Sequence, residues 1–234
     1  MLESLTVTFD MYRRAVQRGA VLSARNWPVL GSLFAYTAIL AVGTYFAMFL
    51  GILGGFVMAF LTAACASSFL YLVEMMVRTG RVSWGDFRRS FGVYLWDVVG
   101  VSFILWVVFA IATPALRTVP QGPGIILALD LVIFVLFNAV PELIYLGHSS
   151  SLELLAESYA FISENWIEWF PPNIAAAGLL YLVATLPLGG VLAWVQTAGM
   201  ALLVYVAMVA RGLLFLELHD SSRRARAFRH RTGR

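Results

Sequence analysis

Ser150-Ser151-Leu152-Glu153-Leu154-Leu155-Ala156-Glu157-Ser158-Tyr159-Ala160-Phe161-Ile162-Ser163-Glu164-Asn165-Trp166 is the longest segment of this chain that is neither apolar enough to span a bilayer nor polar enough to be a loop. Leu152, Leu155, Tyr159, Ile162 and Trp166 recur at steps of three and four, which lines one face of a helix. Glu153, Glu157 and Glu164 fall elsewhere on the wheel. Ser150 followed by Glu153 is a capping-box start, in which hydroxyl and carboxylate each accept from an amide the helix leaves orphaned. The spacing predicts an amphipathic helix lying along a membrane surface. Pro171-Pro172 then predicts a break, with a span beginning at about Asn173.

The membrane follows from composition. Of 234 residues, 61% are hydrophobic and 12% charged, where a soluble domain carries roughly a quarter charged. Apolar runs over 29–50, 56–77, 95–116 and 125–146 are each long enough for a hydrocarbon core of roughly 30 Å. A fifth run, 173–186, is short, and Pro187-Leu188-Gly189-Gly190 interrupts its continuation to Val195. Residues 187–196 therefore read either as a kinked helix or as a surface or re-entrant excursion. The sixth run is 200–218. The expectation is an all-α membrane protein with six transmembrane helices, a single polytopic domain over 1–220 and a basic cytoplasmic tail over 221–234. Cys65 is the only cysteine, which excludes disulfide frameworks and cysteine-based metal sites.

Two further segments share the opening pattern. Leu2, Leu5, Phe9, Tyr12 and Val16 form a stripe with Arg13, Arg14, Arg18 and Arg25 as its basic complement, and Asn26-Trp27-Pro28 ends that helix. Between 78 and 94, Ser83 and Asp86 make a second capping box ahead of Trp84, Phe87, Phe91 and Tyr94. With three amphipathic helices, each ahead of an outward-going span, the layout reads as a threefold repeat of surface helix plus transmembrane hairpin. Asn26-Trp27 is echoed by Asn165-Trp166. On the second span Gly55, Ala59, Ala63 and Ser67 repeat every four residues, as close helix packing in lipid requires. Arginine counting sets orientation: four precede the first span, four sit in the second connection and six in the tail, against Arg117 alone on the other side. The positive-inside rule places both termini in the cytoplasm.

No phosphate loop, spaced histidine pair or nucleophile elbow is present, and no cofactor is expected. Ionisable residues inside spans are costly and mark partners or pathways. Asp130, Asn138 and Glu142 on the fourth span and Arg211 on the sixth form the candidate intramembrane polar site. Glu142 and Arg211 lie at similar depths, so an ion pair fixing helix packing is the first reading, a polar cavity the second and a lone snorkelling arginine the third. Glu153, Glu157, Glu164 and Glu168 carry no arginine among them, and their face is read as a docking surface for basic groups. In the tail, Arg223, Arg224, Arg226, Arg229, Arg231 and Arg234 are expected to meet anionic headgroups or to fix topology, with nucleic acid a remote third.

Gly147-His148-Ser149-Ser150-Ser151-Leu152-Glu153-Leu154-Leu155-Ala156-Glu157-Ser158-Tyr159, Glu164-Asn165-Trp166, and Arg211-Gly212-Leu213-Leu214-Phe215-Leu216-Glu217-Leu218 together resemble a bacterial superfamily of six-helix membrane proteins. That superfamily is related to the membrane domain attached to some glycerophosphodiester phosphodiesterases. The resemblance implies the fold and an inner-membrane location; the phosphodiesterase domain is absent, so its activity does not carry over. The expected function is a non-enzymatic scaffold or accessory subunit, binding lipid, a protein partner or a second copy through its cytoplasmic-face helices. The alternative is a transporter or permease subunit with a polar site between helices four, five and six. An intramembrane enzyme acting on lipids ranks third.

Overall fold

A computed structural model describes residues 2–147 and 152–219. Among them there is no strand. The helices are α1 (Leu2–Arg25), α2 (Gly31–Ala47), α3 (Ile52–Thr79), α4 (Trp84–Ser90), α5 (Leu95–Arg117), α6 (Gly122–Leu136), α7 (Val140–Leu146), α8 (Leu152–Ala184) and α9 (Val191–His219). A 3₁₀ turn at Trp27–Leu30 leads into α2. Six stretches are long and apolar enough to cross a membrane: Trp27–Ala47, Ile52–Thr79, Leu95–Arg117, Gly122–Leu146, Leu152–Ala184 and Val191–His219. Large apolar side chains cover their outer faces, among them Phe46, Phe103, Phe134 and Trp194. Water penalises such a surface heavily and hydrocarbon does not, as a multi-pass membrane protein requires.

Three boundaries differ from the sequence reading. Pro171 and Pro172 do not break the chain: α8 continues through both for 33 residues, about 50 Å at 1.5 Å per residue. Surface segment and fifth span are one helix, longer than the hydrocarbon is thick. Over 187–196 the helix stops and does not kink, the second of the two expected readings. Helix α8 stops at Ala184, a turn containing Gly190 (φ +60°) reverses the chain, and α9 starts at Val191 rather than at Met200. The Gln196 amide closes this turn by donating to the carbonyls of Val183 (2.6 Å) and Leu186 (3.1 Å), groups that the end of α8 leaves without helical partners. The fourth run, finally, divides at 137–139 into α6 and α7.

One compact unit comprises Met1–Ala38, Leu72–Arg88 and Asn165–Arg234. In it α1 packs along α9, but not by the apolar stripe. Met11, Ala15, Gly19 and Ser23, every fourth residue, are buried, whereas Phe9 is 67% and Val16 49% exposed; Leu2 and Leu5 lie outside the described side chains. The backbones nearly touch at Gly19, where a β-carbon would sit 3.1 Å from both the Ala210 nitrogen and the Val206 carbonyl oxygen. Helices in lipid gain from such close approach, not from hiding apolar groups that lipid already accepts. Beyond α1, the Asn26 amide donates to the carbonyls of Leu22 (2.8 Å) and Gly80 (3.1 Å) and accepts from the Val82 N–H (2.9 Å), tying the end of α1 to the chain after α3. The Ser83–Asp86 box forms as expected, with each backbone N–H held by the other's side chain at 2.9 and 3.2 Å. Helix α4 ends at Ser90, short of Phe91 and Tyr94. The hydroxyls of Ser32 and Tyr205 meet at 2.6 Å.

The other unit comprises Ile39–Tyr71 and Arg89–Glu164. Gly51 (φ +55°) allows the tight return from α2 to α3. Of the small-residue stripe on α3, Ala63 and Ser67 are buried while Gly55 and Ala59 stay exposed. Ser67 works as a polar clamp: it donates to the Ser90 carbonyl (3.1 Å) and accepts from the Tyr94 N–H (2.9 Å), pinning the start of α5. On α8, Leu154, Leu155, Ser158, Phe161 and Ile162 are buried, whereas Leu152, Tyr159 and Trp166 of the expected stripe are exposed. Ser150, the expected cap, lies outside the described residues.

Candidate functional site

Proline removes a backbone donor, so the carbonyl four residues earlier loses its helical partner. In hydrocarbon that orphan has no water to turn to. Pro172 orphans the Glu168 carbonyl, and the Tyr12 hydroxyl of α1 donates to it at 2.8 Å. One residue on, the Asn173 side chain donates to the Trp169 carbonyl at 2.7 Å. Burial first, and then the Glu168 carboxylate, push the Tyr12 hydroxyl up to about 12, so it remains a donor across the physiological range.

Arg211 belongs to this region. Its guanidinium lies 5.1 Å from the centre of the fully buried Trp169 ring, within cation–π range. Trp169 in turn meets Phe215 edge-on at 6.4 Å. Arg211, Tyr12, Asn173 and Pro172 border an otherwise apolar groove of about 430 Å³ between α1, α8 and α9, whose walls include Leu180 and Leu203.

The second unit has its own proline-centred arrangement. Pro141 leaves the Phe137 carbonyl without an N–H, and Val140 supplies one at 3.2 Å by shifting to a 3₁₀ bond. The shift frees the Leu136 carbonyl instead. Ser158, itself fully buried, donates to that carbonyl at 2.8 Å. The resulting turn contains half-buried Asn138, and Glu142, with no exposed surface, falls in the first turn of α7.

The sequence-derived candidates fall in both compact units. Asn138 and Glu142 share the turn and helix start in one unit; Asp130 is exposed on α6 of that unit, and Arg211 belongs to the other unit. Glu153, Glu157 and Glu164 are exposed on α8, within about 40° of one another at 100° per residue. Glu168 shares their side of the wheel but is buried, so it does not extend an accessible acidic face. Arg223, Arg224, Arg226, Arg229, Arg231 and Arg234 lie outside the described residues, as do His148 and His230. His219 stacks on Phe215 at 5.1 Å. Among the described residues no three of His, Cys, Asp or Glu are grouped to hold a metal ion.

Sequence reading missed Tyr12, Ser158 and Gln196 as donors. A signal existed for the first two, because each in-helix proline announces an orphan carbonyl; which donor reaches it is a matter of helix packing.

Helices and polar ties together define the class, an all-helical protein with six stretches fit to cross a membrane. No family model, no curated protein and no solved structure matches the chain.

Proposed function

We propose that this chain is a non-enzymatic, multi-pass protein of the bacterial inner membrane, a scaffold or accessory subunit with both termini in the cytoplasm. Its amphipathic helices at the cytoplasmic face bind lipid or a protein partner. The supporting observation is how the side-chain donors in and beside the spans are used. Those of Tyr12, Ser158, Ser67, Asn26 and Gln196 go to backbone carbonyls, which commits to architecture the groups from which a substrate site is built. The resemblance to six-helix membrane proteins and the asymmetry of the arginines support location and orientation. The Asn-Trp pairs support the repeat: Asn26 and Asn165 are both buried, Trp27 and Trp166 both exposed. Exposed Glu153, Glu157 and Glu164 offer a basic partner an acidic face.

The test is cross-linking and co-purification of the tagged full chain in mild detergent, wild type against Glu153→Arg/Glu157→Arg. A partner retained by wild type and lost by the reversed pair is expected; an identical set of partners, or none in either, overturns the docking role. Reporter fusions after Arg89 and Arg117 should read cytoplasmic and external respectively.

One observation favours transport as a second reading. A fully buried carboxylate, Glu142, adjoins the helix interruption at 137–139, and interrupted helices build ion sites in transporters. Proton flux into liposomes containing the protein, abolished by Glu142→Gln, would replace the scaffold reading with this one.

A further inference from the structure

Arg14 and Arg18 stand one turn apart on α1, away from its apolar stripe. They edge a cleft of about 370 Å³ floored by Val77, Leu213 and Leu216 and bounded by Glu217. Arg14 Nη2 lies 3.0 Å from Glu217 Oε1, with the two side chains 54% and 33% exposed. Arg18 has no ion-pair partner among the described residues. Val77 precedes the end of α3 at Thr79 by two residues, and Glu217 stands at the end of the apolar run 200–218. The cleft therefore lies where two apolar runs give out, which for membrane-crossing helices is the level of phosphate and glycerol.

We propose that this cleft binds the phosphate of an anionic glycerophospholipid. Arg14 and Arg18 donate to the phosphate oxygens in charge-assisted bonds, while glycerol and the first acyl carbons rest on Val77, Leu213 and Leu216. Charge complementarity selects the head, and the apolar floor selects a lipid over an acidic peptide, whose polar backbone would lie on it without hydrogen-bond partners. Glu217 tunes the site. An exposed ion pair is weak, so a phosphate displaces the carboxylate from Arg14, and that carboxylate disfavours binding until it does. The proposal deepens the lipid-binding part of the function above and rests on the membrane placement assumed there.

The experiment is native mass spectrometry of the full chain in mild detergent with equal dioleoyl-phosphatidylglycerol and dioleoyl-phosphatidylcholine, reading the ratio of bound lipids. Arg14→Gln/Arg18→Gln should lower the preference for phosphatidylglycerol roughly twenty-five-fold, the product of about fivefold for each arginine near the surface. Glu217→Gln should raise it about threefold, by releasing Arg14. Arg13→Gln, the same charge change on another side of α1, should leave it within about twofold. Because these side chains are exposed, the variants should elute and melt like wild type. An equal fall with Arg13→Gln, an unchanged ratio in the double variant, full competition by inorganic phosphate, or cross-linking of the cleft to another protein would each overturn the proposal. Carbonate extraction of membranes separates the two failures, since a protein that resists extraction yet shows no preference sinks the lipid site alone.

Discussion

Pro172 and Pro141 impose the same loss on two membrane helices, and the chain answers differently. At Pro172 the helix stays α-helical, and a hydroxyl from α1 caps the orphan carbonyl where it arose. At Pro141 the hydrogen bonds shift to 3₁₀ spacing, the helix opens at 137–139, and the orphan moves one residue back to Leu136, where Ser158 meets it. In both places a side-chain donor from another helix meets a carbonyl that would otherwise be bare in hydrocarbon. A donor brought to the original carbonyl accompanies an unbroken helix; a donor brought one residue earlier accompanies a break. The break has a consequence for chemistry, since it sets buried Glu142 in the first turn of a new helix.

The largest effect should come from Ser158→Ala, because Ser158 is fully buried and its carbonyl partner would keep no donor. A loss of about 2–3 kcal/mol is expected, seen as a fall in the thermal midpoint in detergent. Pro141→Ala should recover part of it, because an N–H at 141 can take the Phe137 carbonyl and release the Val140 N–H to Leu136.

Tyr12→Phe should cost less, about 1 kcal/mol, since Tyr12 is only half-buried. In a Pro172→Ala background the same substitution should cost almost nothing, because alanine supplies the N–H that the Glu168 carbonyl lacks. Additive losses in that cycle would separate Tyr12 from the proline and dissolve the comparison.

The two donors also differ in pH response. Tyr12 titrates at about 12 when folded, against an ordinary value of 10. Its contribution should be complete below about pH 10 and lost as pH rises through about 12. Serine has no such titration, so the wild-type-minus-Tyr12→Phe difference should shrink in that window and the Ser158→Ala difference should not.

The smallest effect belongs to another tie on α1. Arg14→Gln/Glu217→Gln, which removes an exposed ion pair between α1 and α9, should change stability by less than about 1 kcal/mol. A larger loss would mean that charge, and not the Gly19 seam with its Tyr12 cap, holds α1 in place.

Much of this was legible in advance. Run lengths disclosed the membrane helices, Ser83 and Asp86 their capping box, and Asn26-Trp27-Pro28 the end of α1. Which face of α1 or α8 packs was not legible. Apolar periodicity finds the side that avoids water, and in a membrane that side can point to lipid; Phe9, Val16, Tyr159 and Trp166 are all exposed. The packed sides carry Gly19, Ser23, Ser158 and Asn165, whose small or polar character reads as surface in a water-soluble protein.

By itself, then, the sequence determined an all-helical chain with six membrane-crossing stretches, because a hydrocarbon slab admits helices of a certain length and composition whatever their neighbours. Tertiary structure alone decided that α8 runs through two prolines, that α6 and α7 part at 137–139, and that Arg14 and Arg18 border a cleft. Each depends on a group distant in sequence, such as Tyr12 for Glu168 or Ser158 for Leu136, and a carbonyl orphaned by proline is repaired only by a donor that folding brings within 3 Å or so of it.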